Sequence, residues 1–123
     1  MTPDRRAALL ALKDAVEAGE FPGGKNGPVR RLWPYHRHED QDLGLIAHCA
    51  FDNDMNAALA LLGAVLPRVH WAIFSQTTPE FVASIIVSHP DGPDEYDGVA
   101  PTPARALLLA IIKALIAQEA RDG

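Results

Sequence analysis

Residues 69–89, VHWAIFSQTTPEFVASIIVSH, decide how this chain folds. Two runs rich in β-branched and aromatic residues, 69–76 and 80–89, flank a short link at Thr77, Thr78 and Pro79 and predict an antiparallel hairpin. Strand alternation sets Val69, Trp71 and Ile73 on one face of the first run and Ala72 and Phe74 on the other. In the second run Phe81, Ala83, Ile85 and Val87 oppose Val82 and Ile86. Both faces are apolar at their centre, so both are expected to be covered, and helices on each side would cover them. Trp71, Phe74 and Phe81 are expected in the core. His70 and His89, at strand ends, are expected at the surface.

Outward from the hairpin, the signals turn helical on both sides. Residues 90–101, rich in Pro, Gly and Asp, predict a loop, after which Thr102 can cap a helix with Pro103 at its first position, running to about Ala120. Between Ala106 and Ala117 only Lys113 is polar, so this last helix is either central to the core or part of an interface between copies, and homodimerisation through it is expected. On the other side, Asp52, Asn53 and Asp54 supply capping chemistry for a helix that carries Leu59, Leu62 and Leu66 and ends at Pro67. Residues 43–50, LGLIAHCA, predict a short apolar strand. Pro22, Gly23, Gly24, Gly27, Pro28 and Pro34 predict an irregular arm over about 20–42. A first helix is marked by Thr2, Pro3 and Asp4, by Leu9, Leu12 and Val16 at helical spacing, and by a stop at Gly19. The sum is a single α/β (α+β) domain over 1–123, in the order α-arm-β-α-β-β-α, with a small antiparallel sheet and helices on both its faces.

Composition narrows the function classes. The 123 residues are 48% hydrophobic and 22% charged, the balance of an ordinary globular domain long enough to bury one core. A formal charge of −5 suits solubility and argues against a general binder of nucleic acid or membrane surfaces. Cys49 is the only cysteine, which excludes an internal disulfide and a multi-cysteine zinc site and favours a reducing compartment. No signal-peptide pattern opens the chain, and its longest apolar run falls far short of the ~20 residues that span a bilayer. A cytoplasmic location is expected, with no membrane partner.

Residues 46–119 resemble the small phage and prophage domains known as phage α-β-α sandwich proteins. The likeness lies in a strand feeding FDNDMNAALALLGAVLP, the tryptophan-bearing strand VHWAIF with a second strand after it, and the Thr-Pro-Ala entry of APTPARALLLAIIKAL into a terminal helix. The resemblance implies an α/β fold and a phage-related setting, in the cytoplasm of a bacterial host. It implies no catalytic residue, and it leaves residues 21–42 unaccounted for.

Four groups of residues carry candidate chemistry. His36, His38 and Asp40 match the first part of the HxHxDH pattern of metallo-β-lactamase-like hydrolases, and two imidazoles and a carboxylate can hold zinc or iron. Gln41 stands where that pattern needs its last histidine, so a solvated loop is the competing reading. His48 beside Cys49 invites a base–nucleophile pair, but on a strand neighbouring side chains point to opposite faces, which favours a buried inert thiol. Asp91, Asp94, Glu95 and Asp97 could attract calcium, yet their spacing is not that of an EF-hand loop. The arm holds four bases, Lys25, Arg30, Arg31 and Arg37, and no acid between Phe21 and His38, with Trp33 and Tyr35 among them. Arg30, Arg31, Trp33 and Tyr35 form the candidate partner-binding strip. Its competing reading is that the aromatics staple the arm to the core while the bases sit in water.

No complete nucleophile–base set, phosphate-cradling glycine loop or full metal motif is written in the chain. The expectation is a small non-enzymatic accessory or interaction protein of phage or prophage type, without cofactor, acting on a protein partner not yet identified. The alternatives are a nucleic-acid-contacting module that uses the basic aromatic arm and a metal-dependent hydrolase that uses His36, His38 and Asp40.

Overall fold

The computed structural model of the chain describes residues 3–22, 27–33, 42–75 and 80–122. Helix α1 (Pro3–Glu17) runs as the leucine spacing requires, burying Leu9, Leu12 and Val16. It stops where Gly19 takes φ 85°, with the Gly19 N–H on the Val16 carbonyl and the Glu20 N–H on the Ala15 carbonyl. The expected Thr2 cap lies outside the described residues.

The arm is not wholly irregular. It contains α2 (Pro28–Leu32), one short helix with Pro28 at its start, which turns Val29 and Leu32 into the core against α1. The strand expected at residues 43–50 is corrected to a helix, α3 (Leu43–Phe51). The Asp42 side chain accepts from the Leu45 N–H and caps it, and the buried positions Gly44, Ala47, Ala50 and Phe51 follow a helical period, not a period of two. Helix α4 (Met55–Val65) starts at the expected acidic cluster, with Asp54 accepting from the Ala57 N–H.

The hairpin forms as expected from β1 (His70–Ser75) and β2 (Phe81–His89), with Trp71 opposite Ile85 and Ile73 opposite Ala83. Its Thr-Thr-Pro link lies outside the described residues. The loop expected at 90–101 is corrected to a third strand, β3 (Gly92–Ala100), antiparallel to β2 and joined to it by a tight turn at Pro90 and Asp91. Pro93 and the acidic residues are tolerated because β3 is an edge strand, where a missing N–H and solvated charges do not interrupt a ladder on the outer side. The sheet order is β1-β2-β3.

Helix α5 (Pro103–Asp122) begins at Thr102, whose Oγ1 accepts from the Arg105 N–H at 3.3 Å. It packs on β2 and β3 on one side and meets α1, α3 and α4 on the other. Every residue from Ala106 to Ile112 is buried, so the helix sits at the centre of a single core cluster. Arg105 fastens its first turn to α3, with Nε donating to the Phe51 carbonyl at 3.3 Å and the guanidinium 4.0 Å from the Phe51 ring centroid. Phe21 adds to this corner, stacked on His48 at 4.8 Å and tilted against Phe51.

The chain thus has the α+β class and the small antiparallel sheet that its sequence predicts, with cover on both faces corrected to cover on one. Among the described elements α5 alone packs along the sheet, and the other helices gather behind it. The apolar run of α5 from Ala106 to Ile112 is spent on packing within the chain.

Candidate functional site

Directly opposed residues of an antiparallel sheet share a face, so the register sorts every side chain. The covered face carries Trp71 with Ile85 and Tyr96, Ile73 with Ala83 and Gly98, Val87 with Asp94, and Phe81 with Ala100. Ala83, Ile85, Val87, Gly98 and Ala100 are buried there under α5. Gly98 lets the helix approach: a Cβ at this position would collide with the Ala106 carbonyl and lie 2.7 Å from the Ala110 nitrogen.

Among the described elements no helix packs along the other face. Val82 stands beside Val99, Ser84 between Ala72 and Asp97, and Ile86 between His70 and Glu95. Val99 is 45% exposed and Ile86 37%. Between these apolar positions Ser84 Oγ donates to Asp97 Oδ1 at 2.7 Å, which satisfies a buried hydroxyl at the centre of the sheet. The result is a mostly neutral face with a carboxylate border along β3. Leu10 and Leu45 are also exposed, but each lies on a separate helix.

Trp71 is corrected from core to surface, being 45% exposed. It lies on the helix-covered side but on edge strand β1, and α5 crosses β2 and β3 instead. Phe81 packs against the core, half-buried, as expected. His70 is exposed as expected, whereas His89 is mostly buried, its Nε2 3.3 Å from Asp94 Oδ2.

The candidate partner-binding strip of the arm is divided by the fold. Trp33 is 7% exposed and belongs to the core cluster, so its ring is not presented for stacking on a partner. Arg30 is held in a bidentate pair with Asp42, Nη1 to Oδ1 at 2.8 Å and Nη2 to Oδ2 at 3.0 Å, and donates also to the Trp33 carbonyl at 3.3 Å. The hydrogen bonds from Arg30 hold the Asp42 carboxyl below its usual pKa range. Arg31 is exposed. Tyr35, Lys25 and Arg37 lie outside the described residues, as do the metal candidates His36, His38 and Asp40.

The remaining candidates do not converge. His48 and Cys49 are neighbours on a helix, not on a strand, and the His48 ring is stacked on Phe21 with Nε2 3.5 Å from Asp52 Oδ2. Cys49 is half-buried. The acids of β3 are split by alternation, Asp94 on the covered face and Glu95 and Asp97 on the open one, with Asp91 in the turn. Among the described residues no group of three or more His, Cys, Asp or Glu side chains could hold a metal ion, and no helix is long and apolar enough to cross a membrane.

Sequence reasoning missed the open face because it missed β3. The signal was there in part: across 94–100, Asp94, Tyr96, Gly98 and Ala100 alternate with Glu95, Asp97 and Val99. Comparison with protein-family models, with curated proteins and with solved structures finds no match to this chain.

Proposed function

We propose that this is a small non-enzymatic accessory protein that works by contact with another protein, through the face of its sheet opposite α5. The observation that carries the reading is the exposure of Ile86 and Val99 on one face of the three-stranded sheet, where Leu10 and Leu45 each lie on a separate helix. The carboxylates of Glu95 and Asp97 along one border favour a partner with basic residues flanking an apolar contact. The phage or prophage setting is part of the proposal and rests on the resemblance of residues 46–119, whose leading segment is here a helix. The basic arm does not enter the reading, since Arg30 is committed to Asp42 and Trp33 to the core.

The test is a pull-down with the tagged full chain from host cells, wild type against the double variant Ile86→Lys, Val99→Lys and against Arg31→Ala. A discrete protein retained by wild type and by Arg31→Ala, and lost from the double variant at unchanged circular dichroism, is the expected result. Retention by the double variant, or loss only in Arg31→Ala, would overturn the reading.

A further inference from the structure

The two edges of the sheet are built differently. The β3 edge carries Pro93, the acids Asp94, Glu95 and Asp97, and glycines at both 92 and 98, devices that discourage another strand from pairing there. The β1 edge reads HWAIFS, with no acid, lysine, arginine, proline or glycine. No hydrogen bond from its outer side is found among the described residues. An edge strand of this kind presents a row of backbone N–H and C=O groups whose natural complement is one more extended strand.

Two further observations select the occupant. Trp71 projects from β1 on the helix-covered side, over a strip that α5 leaves bare. The chain as a whole is acidic, at −5, yet β1 itself carries no acid, so two copies can meet along this strand without repulsion between its own side chains. We propose that β1 pairs antiparallel with β1 of a second copy of this chain across a two-fold axis perpendicular to the sheet. Two three-stranded sheets then become one of six strands. Both α5 helices lie on the same side of it, and the two Trp71 side chains fill the strip between them. The open faces join on the opposite side into one platform of twice the area. This deepens the protein-contact reading by naming one partner, a second copy, and it leaves the open face free for another.

Solution mass of the full chain, measured by sedimentation equilibrium across a concentration series, tests it. Wild type is expected at twice the chain mass. Trp71→Lys is expected to weaken self-association more than ~30-fold, the loss that follows removal of an aromatic anchor from an interface centre. Val99→Lys, on the far edge and the open face, is expected to leave the pair intact. Hydrogen exchange on wild type guards against a misfolded variant: the outer amides of β1 should be protected at high concentration and released on dilution. A monomer at every concentration, a pair that survives Trp71→Lys, or β1 amides whose exchange ignores concentration would overturn the proposal. Because Val99→Lys belongs to the open face, failure of β1 pairing and failure of the partner reading give different patterns.

Discussion

Asp42 does two jobs at one point of the chain. Its carboxylate caps α3 through the Leu45 N–H and anchors Arg30, which in turn holds the Trp33 carbonyl. Replacing Asp42 by Ala removes the cap and leaves the half-buried guanidinium without its carboxylate, and should lower stability by about 1–2 kcal/mol in urea unfolding. The pH dependence follows from the direction of the shift. A carboxyl whose pKa is lower in the folded than in the unfolded chain contributes fully above the unfolded value and loses that contribution as pH falls through the folded one. Acidification below the ordinary carboxyl value of 3.8 should therefore erode wild-type stability more steeply than that of Asp42→Asn. Equal slopes would mean that the Arg30 pair adds nothing to folding. At this scale the sequence was a partial guide: it marked Arg30 and Trp33 as notable, but their sharing between core and ion pair depends on Asp42, twelve residues from Arg30.

Elements were legible where local chemistry agreed with tertiary use. Helices α1, α4 and α5 and the β1–β2 pairing carry caps, prolines and periodicities that match their burial. The segment LGLIAHCA did not declare itself, because a short apolar run fits a buried strand as well as a buried helix. The choice was made by Asp42 before it and by small residues, Gly44, Ala47 and Ala50, that allow helices to pack closely. Strand β3 was hidden for the opposite reason, since proline, glycine and acids are turn-formers in general and edge-protectors in a sheet. Its contact with α5 passes through Gly98, and both nearest obstacles to a side chain there are backbone atoms that cannot swing away. Gly98→Ala should cost about 3 kcal/mol, the upper part of the usual overpacking range, read from the urea midpoint. A change below about 0.5 kcal/mol, the size of an ordinary surface substitution, would contradict the close approach of helix and sheet.

On the scale of the whole molecule, the defining property is asymmetry. Among the described elements the helices gather on one side of the three-stranded sheet, with Ile86 and Val99 exposed on its other face and Trp71 exposed on edge strand β1. The sequence announced two apolar hairpin faces but not that only one would be covered, because that outcome depends on α5 serving as the common centre for the helices and the sheet alike. The central claim is that the open face is a working surface, and site-specific photo-crosslinking in host cells tests it most directly. A photoreactive residue in place of Val99 is compared with one in place of Leu10, an exposed position on α1. A discrete protein adduct is expected from position 99 and none from position 10; an adduct from position 10 alone, or from neither, would contradict a working role for this face.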